Sequence, residues 1–198
     1  MGTCLVVGGP NSGKTSLVLS LANLFGAELV IRTVTSAGKA VAWESSRARC
    51  ELVSAHPHTT LEAQTIRVTV RTVKAWKEFD LVDTAGLVSY IHHDEAIRRA
   101  MAQTVALLSS ADLVLHLVDA ATLGSGLSEA VGPIDLELAS YCHDHRSYLV
   151  VATKMDLATA PRGLARIRQL FPEGHIVPVS VVTGQGLKVV KSYIIRAL

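Results

Sequence analysis

The stretch GGPNSGKTSL, residues 8–17, decides the fold class of this 198-residue chain. It follows the apolar run TCLVV (3–7) and precedes a segment that has helical periodicity and ends at Gly26. Gly8 to Thr15 match the pattern G-x-x-x-x-G-K-S/T between a predicted strand and a predicted helix, which is the context that this pattern requires. Its glycines allow backbone N–H groups to face inward and form an anion site at the helix N-terminus. The stretch therefore predicts a phosphate-binding loop; the alternative is a glycine-rich turn that carries a solvated lysine.

Two side chains of this loop carry the predicted chemistry. Lys14 supplies a positive charge that can reach the β- and γ-phosphates of a nucleotide. The hydroxyl of Thr15 is a hard oxygen ligand suited to Mg²⁺. The nucleotide contacts predicted for the loop are Gly8, Pro10, Asn11, Ser12, Gly13, Lys14, Thr15 and Ser16.

The composition is that of a well-buried globular protein, with 49% apolar and 18% charged residues. A net charge of +2 argues against a dedicated nucleic-acid surface. The longest apolar runs are too short to span a bilayer, and no charged leader precedes an apolar segment. We therefore expect a single cytoplasmic domain over residues 1–198, without a transmembrane segment.

Short apolar runs alternate with amphipathic stretches, which predicts an α/β fold: a mostly parallel sheet with helices on both faces. The runs 65–73 and 77–83 are close enough to form a hairpin, which makes one strand antiparallel. The predicted strands are 3–9, 65–73, 77–83, 111–119, 147–153 and 175–180, and the predicted helices are 14–25, 94–109, 133–144, 161–171 and 186–198.

The segment from Gly26 to Pro57 fits this alternation poorly, because it is too long for an ordinary connection. We interpret about 26–57 as an insertion that could include a helix from about Gly38 to Leu52.

The stretch Asp83-Thr84-Ala85-Gly86 follows the apolar end of a predicted strand. An aspartate in this position can hold Mg²⁺ through a water molecule, and the Gly86 N–H can meet a γ-phosphate. Taken alone, the four residues are also typical of an ordinary turn.

The stretch Thr153-Lys154-Met155-Asp156 also follows a predicted strand. The Asp156 carboxylate can accept hydrogen bonds from N1–H and the exocyclic amine of guanine, a donor pair that adenine lacks. The stem of Lys154 can lie across the base plane, and the backbone N–H groups of Ser180, Val181 and Val182 are placed to meet the guanine O6. In isolation, Asp156 could equally be a solvated loop residue.

Together these motifs resemble the P-loop GTPases of the translation-factor class, above all the Era, MnmE and FeoB group of G domains. The resemblance covers nearly the whole chain except about 26–57. It implies a three-layer P-loop GTPase G domain with a mostly parallel six-stranded sheet and one antiparallel edge strand. It also implies a switch protein that binds GTP and GDP and hydrolyses GTP with Mg²⁺.

The family has a switch threonine that completes Mg²⁺ coordination, and HPHTTLE (56–62) is similar to its Pro-x-Thr-Thr pattern. This resemblance assigns the role to Thr60, with Thr59 as the alternative. The implied metal ligands are then Thr15, Thr60 and Asp83, and the implied catalytic residues are Lys14, Thr60 and Gly86. Two switches, 57–62 and 84–99, are expected to contact a protein or RNA effector or a second copy of the chain in a nucleotide-dependent way.

Three departures from the family pattern matter. Thr153 stands where the guanine motif usually begins with Asn, which weakens bracing of the loop more than choice of base. Val182 stands where the Ser-Ala-Lys motif has its lysine. Leu87 stands where Ras-like proteins carry the glutamine that orients the attacking water, so we expect slow intrinsic hydrolysis. The alternative function is a GTP-binding docking or assembly module with little hydrolysis.

Asn11 matches an asparagine that MnmE-like relatives use to help bind K⁺, so one hypothesis is K⁺-stimulated hydrolysis; the alternative is that Asn11 only braces the loop. Arg47 and Arg49 could act as an arginine finger or be solvated. His92 and His93 could bind a metal or be solvated or partner-facing.

Overall fold

A computed structural model describes residues 1–26, 31–33, 63–72, 75–126, 131–145 and 147–198. The strands among them are β1 (Gly2–Gly8), β2 (Ile31–Thr33), β3 (Gln64–Arg71), β4 (Trp76–Asp83), β5 (Leu113–Asp119), β6 (Ser147–Thr153) and β7 (Ile176–Pro178). The helices among them are α1 (Lys14–Phe25), α2 (Glu95–Leu108), α3 (Ala120–Gly124), α4 (Pro133–His145), α5 (Ala160–Leu170) and α6 (Leu187–Ala197).

The strands form one sheet in the order β2-β3-β4-β1-β5-β6-β7. β3 runs antiparallel to both of its neighbours, and the other pairings are parallel. The predicted fold class is confirmed. The sheet gains a strand over the predicted six, because Ile31–Thr33 pairs along the outer side of β3 and takes the edge position from it.

Two apolar clusters cover the two faces of the sheet, because successive residues of a strand point to opposite sides. Val6 of β1 packs in the cluster that holds residues of α1 and α6, among them Leu21 and Ile194. Its neighbour Leu5 packs in the other cluster, with residues of α2, α4 and α5 such as Ile167. The three-layer arrangement follows from this alternation.

Most predicted elements are confirmed to within a few residues. α1 has the predicted bounds and ends at Gly26, which adopts a left-handed conformation. α2 begins after Asp94, whose side chain accepts a hydrogen bond from the Ala96 N–H and so caps the helix. β7 is shorter than predicted, and α3 was not predicted. The helix expected at about 38–52 lies outside the described residues.

The parallel strands β1, β4, β5 and β6 end at one edge of the sheet, at Gly8, Asp83, Asp119 and Thr153. The strand register brings Val6 opposite Asp83, and Asp119 opposite Thr153. In open α/β sheets the carboxyl edge is where ligands bind. None of the helices described is long and apolar enough to cross a membrane.

Candidate functional site

The loop between β1 and α1 is shaped by its backbone. Gly8 has a φ of 142°, and an added Cβ there would collide with the Leu117 carbonyl oxygen of the neighbouring strand. Asn11 also has a positive φ, 57°. The Ser12 side chain is buried, and Ser16 lies in the first turn of α1. This loop is therefore a compact turn on the carboxyl end of the central strand, as the predicted phosphate site requires.

Lys14 lies inside the loop rather than in solvent, with 7% of its surface exposed. Its Nζ donates hydrogen bonds to the carbonyl oxygens of Gly8, at 3.3 Å, and Gly9, at 2.8 Å. Burial lowers the pKa of Lys14 to about 8, and the negative charges of Asp83 and Asp135 oppose that shift. A phosphate beside the ammonium would raise the pKa of Lys14 again, because a nearby negative charge favours the protonated form.

Asp83 and Thr15 meet at the end of β4. The Thr15 hydroxyl donates to Asp83 Oδ2 at 2.6 Å. Burial raises the pKa of Asp83 to about 6, against the opposing effects of the Thr15 hydrogen bond and the Lys14 charge.

Two buried side-chain atoms of the described residues lack a hydrogen-bond partner, and both are in this site: Ser12 Oγ and Asp83 Oδ1. Leaving such groups unpaired costs about 1–3 kcal/mol each, so their place calls for an explanation. The Thr15 hydroxyl and the Asp83 carboxylate are hard oxygen donors of the kind Mg²⁺ prefers, and they fit that ion, with Asp83 acting directly or through water. Thr60 and Thr59, the expected third contribution, lie outside the described residues, as do Arg47 and Arg49.

The segment after β4 is attached to the phosphate loop. Thr84 Oγ1 donates to the Val6 carbonyl oxygen at 2.7 Å, and the Leu87 N–H donates to the Gly8 carbonyl oxygen at 3.1 Å. A Cβ at Gly86 would lie 2.8 Å from the backbone nitrogen of Pro10, so only glycine allows this approach. The side chain of Leu87 is 4% exposed and packs in the core.

Thr153 connects the two ends of the candidate site. Its hydroxyl lies 2.8 Å from the Ser12 carbonyl oxygen and 3.2 Å from the Val118 carbonyl oxygen. Threonine thus braces the phosphate loop, although its single hydroxyl proton offers less than the two amide protons of asparagine.

Asp156 is held by Ser180. The Ser180 hydroxyl donates to Asp156 Oδ1 at 2.6 Å, and the Met155 N–H donates to the Val179 carbonyl oxygen, which ties the two loops together. The Ser180 N–H is itself bonded to the Gln185 carbonyl oxygen. Of the three N–H groups predicted to meet the guanine O6, those of Val181 and Val182 therefore remain as candidates. Val182 is largely exposed.

Sequence reasoning missed Asp119. Its Oδ2 lies 2.7 Å from Lys154 Nζ, and it stands at the end of β5 beside Thr153. The available signal was its place: an acidic residue at the end of a fully buried strand, at the edge where the other strand-end motifs lie.

The histidines of the second switch receive no support as metal ligands. Within the described part of the chain, no group of three or more His, Cys, Asp or Glu side chains is placed to hold a metal ion. His92 Nδ1 accepts a hydrogen bond from the Asp94 N–H at 3.1 Å.

The sequence matches a family model described as "50S ribosome-binding GTPase" over residues 3–154. The tRNA modification GTPase MnmE of Granulibacter bethesdensis is 31% identical over 190 residues, 94% of this chain and 32% of that protein. GTPase Obg of Akkermansia muciniphila is 26% identical over 137 residues, 68% of this chain and 38% of that protein. The chain therefore spans about a third of the length of these relatives.

Two solved structures are similar in fold. A variant of Aquifex aeolicus Era bound to GDP·AlF4⁻ has a TM-score of 0.69 at 23% identity, covering 100% of this chain and 56% of that chain. The G domain of the T. maritima FeoB iron transporter has a TM-score of 0.58 at 20% identity, covering 100% and 98%. At these identities the likeness concerns the arrangement of helices and strands.

Proposed function

The chain belongs to the family of 50S ribosome-binding GTPases, and from this premise we propose that its carboxyl-edge site binds GTP and Mg²⁺ and hydrolyses GTP to GDP and phosphate. The observation that carries the proposal is the place of the two unpartnered oxygens, Ser12 Oγ and Asp83 Oδ1. A buried polar atom without a partner is explained where a ligand or an ion supplies the missing contact. They belong to the same loop and strand end as the buried Lys14 and the Thr15–Asp83 pair, and a magnesium–triphosphate ligand would satisfy these groups.

The proposed reaction is an in-line attack of water on the γ-phosphorus, with GDP as leaving group. Lys14 and the backbone N–H groups of the phosphate loop, to which Pro10 contributes none, would stabilise the negative charge that develops on the phosphate oxygens. Thr15 and Asp83 would hold Mg²⁺, which would supply further positive charge at those oxygens. Thr60 is proposed as the remaining protein ligand, and the Gly86 N–H is proposed to meet the γ-phosphate.

Base recognition rests on the loops after β6 and β7. Asp156, oriented by Ser180, would accept the N1–H and exocyclic N–H donors of guanine, and Lys154 would cover one face of the ring. Calorimetry with GTP, GDP and ATP in the presence of Mg²⁺ tests this assignment. We expect GTP and GDP to bind at least about 100-fold more tightly than ATP. Equal affinities, or the absence of binding, would contradict the proposal.

Hydrolysis is tested by phosphate release under single-turnover conditions. Lys14→Ala should abolish release because it removes the charge at the β- and γ-phosphates, whereas Arg168→Ala, a change at an exposed position of α5, should leave the rate unchanged. Release that persists in the Lys14 variant would point to a contaminating activity.

We further propose that K⁺ stimulates this hydrolysis through Asn11. The support is the loop geometry: Asn11 has a left-handed backbone, as a residue at the tip of an anion-binding turn can. A cation beside the phosphates would supply charge that an arginine provides elsewhere. Turnover measured in KCl and NaCl at equal ionic strength decides the point. Wild type should be faster in KCl and Asn11→Ala equal in both; equal wild-type rates contradict the idea.

A second candidate function is a GTP-binding docking or assembly module that barely hydrolyses. It is favoured by Leu87, whose buried side chain cannot orient a water molecule. A single-turnover rate that stays negligible with and without K⁺, beside tight GTP binding, would support this candidate. We also propose that residues 1–198 form a single domain with an insertion at about 26–57. Deleting the insertion and then measuring folding and GTP affinity tests whether the insertion serves the nucleotide site or a partner.

The effector is proposed to contact the switches at 57–62 and 84–99. Support comes from Tyr90 and Ile91 in the second of these segments, whose side chains are apolar and are 61% and 85% exposed. A capture experiment that compares a non-hydrolysable GTP analogue with GDP identifies a cytoplasmic protein or RNA partner, and light scattering in both states tests for a nucleotide-dependent homodimer.

A further inference from the structure

We propose that Asp119 is a positioning residue of the base pocket, whose carboxylate fixes the Lys154 ammonium so that the lysine stem lies over the purine ring. This inference rests on the proposed function, since it concerns the same guanine site. It means that a residue at the end of β5 contributes to nucleotide affinity.

The contact is short and well supported. Asp119 Oδ2 lies 2.7 Å from Lys154 Nζ, and 11% and 36% of the respective side chains are exposed. The two residues extend from neighbouring parallel strands whose register pairs Asp119 with Thr153. An ion pair with one partner buried is more restrained than a surface pair, because solvent competes less for the carboxylate.

The backbone of Lys154 adds a second observation. Its φ of 59° is left-handed, which a residue with a side chain adopts only at a local cost in free energy. Such a conformation persists where the surroundings determine it. The Asp119 ion pair on the side chain and the Met155 N–H bond to the Val179 carbonyl oxygen on the following residue are two such determinants.

Asp119 is itself oriented by α3. Its Oδ1 accepts from the Thr122 N–H at 3.0 Å, and its Oδ2 accepts from the Thr122 hydroxyl at 2.7 Å. Burial acts to raise the pKa of Asp119, but Lys154 and Thr122 together hold it below its ordinary value. The carboxylate is therefore charged and fixed in direction before any ligand arrives.

A merely structural role, as the cap of α3, is the alternative. The two roles separate in a double-mutant cycle with Asp119→Asn, Lys154→Met and the double variant, measured by GDP dissociation constants. Asparagine retains a capping oxygen, and methionine retains the apolar stem without the charge. Ser125→Ala is the matched control, because it removes a hydrogen bond at the end of α3, from the Ser125 hydroxyl to the Thr122 carbonyl oxygen, and leaves the contacts of Asp119 with Thr122 and Lys154 in place.

We expect Asp119→Asn to weaken GDP by about fivefold or more, equivalent to one charge-assisted contact. Lys154→Met should weaken it similarly, and the double variant should be within about twofold of either, since both changes break the same contact. Ser125→Ala should stay within about twofold of wild type. Inosine diphosphate (IDP) lacks the exocyclic amine of GDP but presents the same ring face to the lysine stem. The substitution Asp119→Asn should therefore weaken the binding of IDP and of GDP by the same factor.

Multiplicative losses in the double variant, or unchanged GDP affinity in Asp119→Asn, would overturn the inference while wild-type GDP binding leaves the proposed function standing. Failure of wild type to bind GDP would instead remove the proposed function. Should Asp119→Asn not fold, Asp119→Ser provides a capping hydroxyl without the charge, and the same cycle applies.

Discussion

At the scale of single residues, the contact between Asp156 and Ser180 implies that one substitution at position 156 can change which base is preferred. The Ser180 hydroxyl donates to Asp156 Oδ1, so an asparagine at 156 would turn its oxygen to Ser180 and its amide protons to the base. Xanthine presents a carbonyl where guanine presents an amine. We expect Asp156→Asn to lose about 100-fold in GDP affinity and to prefer XDP. Competition binding with GDP and XDP measures this, and Ser180→Ala, which loses only the orienting bond, should keep the guanine preference.

The raised pKa of Asp83 has a consequence for the nucleotide-free protein. A carboxyl whose pKa is about 6 when folded and near 4 when unfolded stabilises the fold below pH 4 and loses that contribution as the pH rises through 6. The lowered pKa of Lys14, about 8, acts only at higher pH. We therefore expect wild type to lose roughly 2 kcal/mol of unfolding free energy between pH 4 and pH 7 that Asp83→Asn does not lose.

Denaturant titrations of both proteins at several pH values, with EDTA and without nucleotide, give that difference directly. A constant gap between wild type and Asp83→Asn across the range would show that Asp83 titrates normally in the fold.

At the scale of elements, α3 and α5 cross closely through a glycine. A Cβ at Gly163 would collide with the Ala120 carbonyl oxygen, and Thr159 Oγ1 donates to the Ala121 carbonyl oxygen at 2.8 Å. Since the obstacle is backbone, it cannot rotate away. We expect Gly163→Ala to destabilise the protein by about 1–3 kcal/mol in denaturant unfolding, despite the better helix propensity of alanine.

The matched control is Arg162→Ala at the adjacent, exposed position of α5, which should change stability by less than about 0.5 kcal/mol. Equal effects of the two changes would show that the crossing has room for a methyl group.

The elements that the sequence did not predict are the short ones. β2 has three residues and α3 has five, and neither is long enough to display a period of two or of 3.6. α1, by contrast, has a glycine at each end and an apolar pattern over twelve residues, so its bounds were predictable.

The candidate site likewise has one part that the sequence predicts and one part that it does not. Residues 8–15 are contiguous, so their spacing carries the prediction. The bond between Ser180 and Asp156 and the ion pair between Asp119 and Lys154 join residues far apart in the chain, and only the strand order brings them together. Individual side-chain partners across a sheet edge have no signature in one sequence.

At the scale of the whole molecule, the site gathers groups from the ends of β1, β4 and β6 and from the loop after β7. A ligand that contacts all of them binds the folded state alone and stabilises it by mass action. GDP with Mg²⁺ at 100 times its dissociation constant should raise the unfolding free energy by about 2.7 kcal/mol. EDTA should remove part of this gain.

The variant Thr15→Ala identifies how much of the stabilisation by GDP depends on Mg²⁺, since it removes the hydroxyl that pairs with Asp83. In this variant we expect GDP to stabilise equally with Mg²⁺ and with EDTA in thermal unfolding. A Mg²⁺ increment as large as that of wild type would place the ion elsewhere.

Thr153 has one hydroxyl proton and two carbonyl oxygens in reach, on Ser12 and on Val118. The phosphate loop, through Ser12, and strand β5, through Val118, thus compete for the same donor. A shift at the end of β6 that favours the Val118 acceptor would therefore weaken the bond to Ser12, which couples the two ends of the proposed nucleotide site.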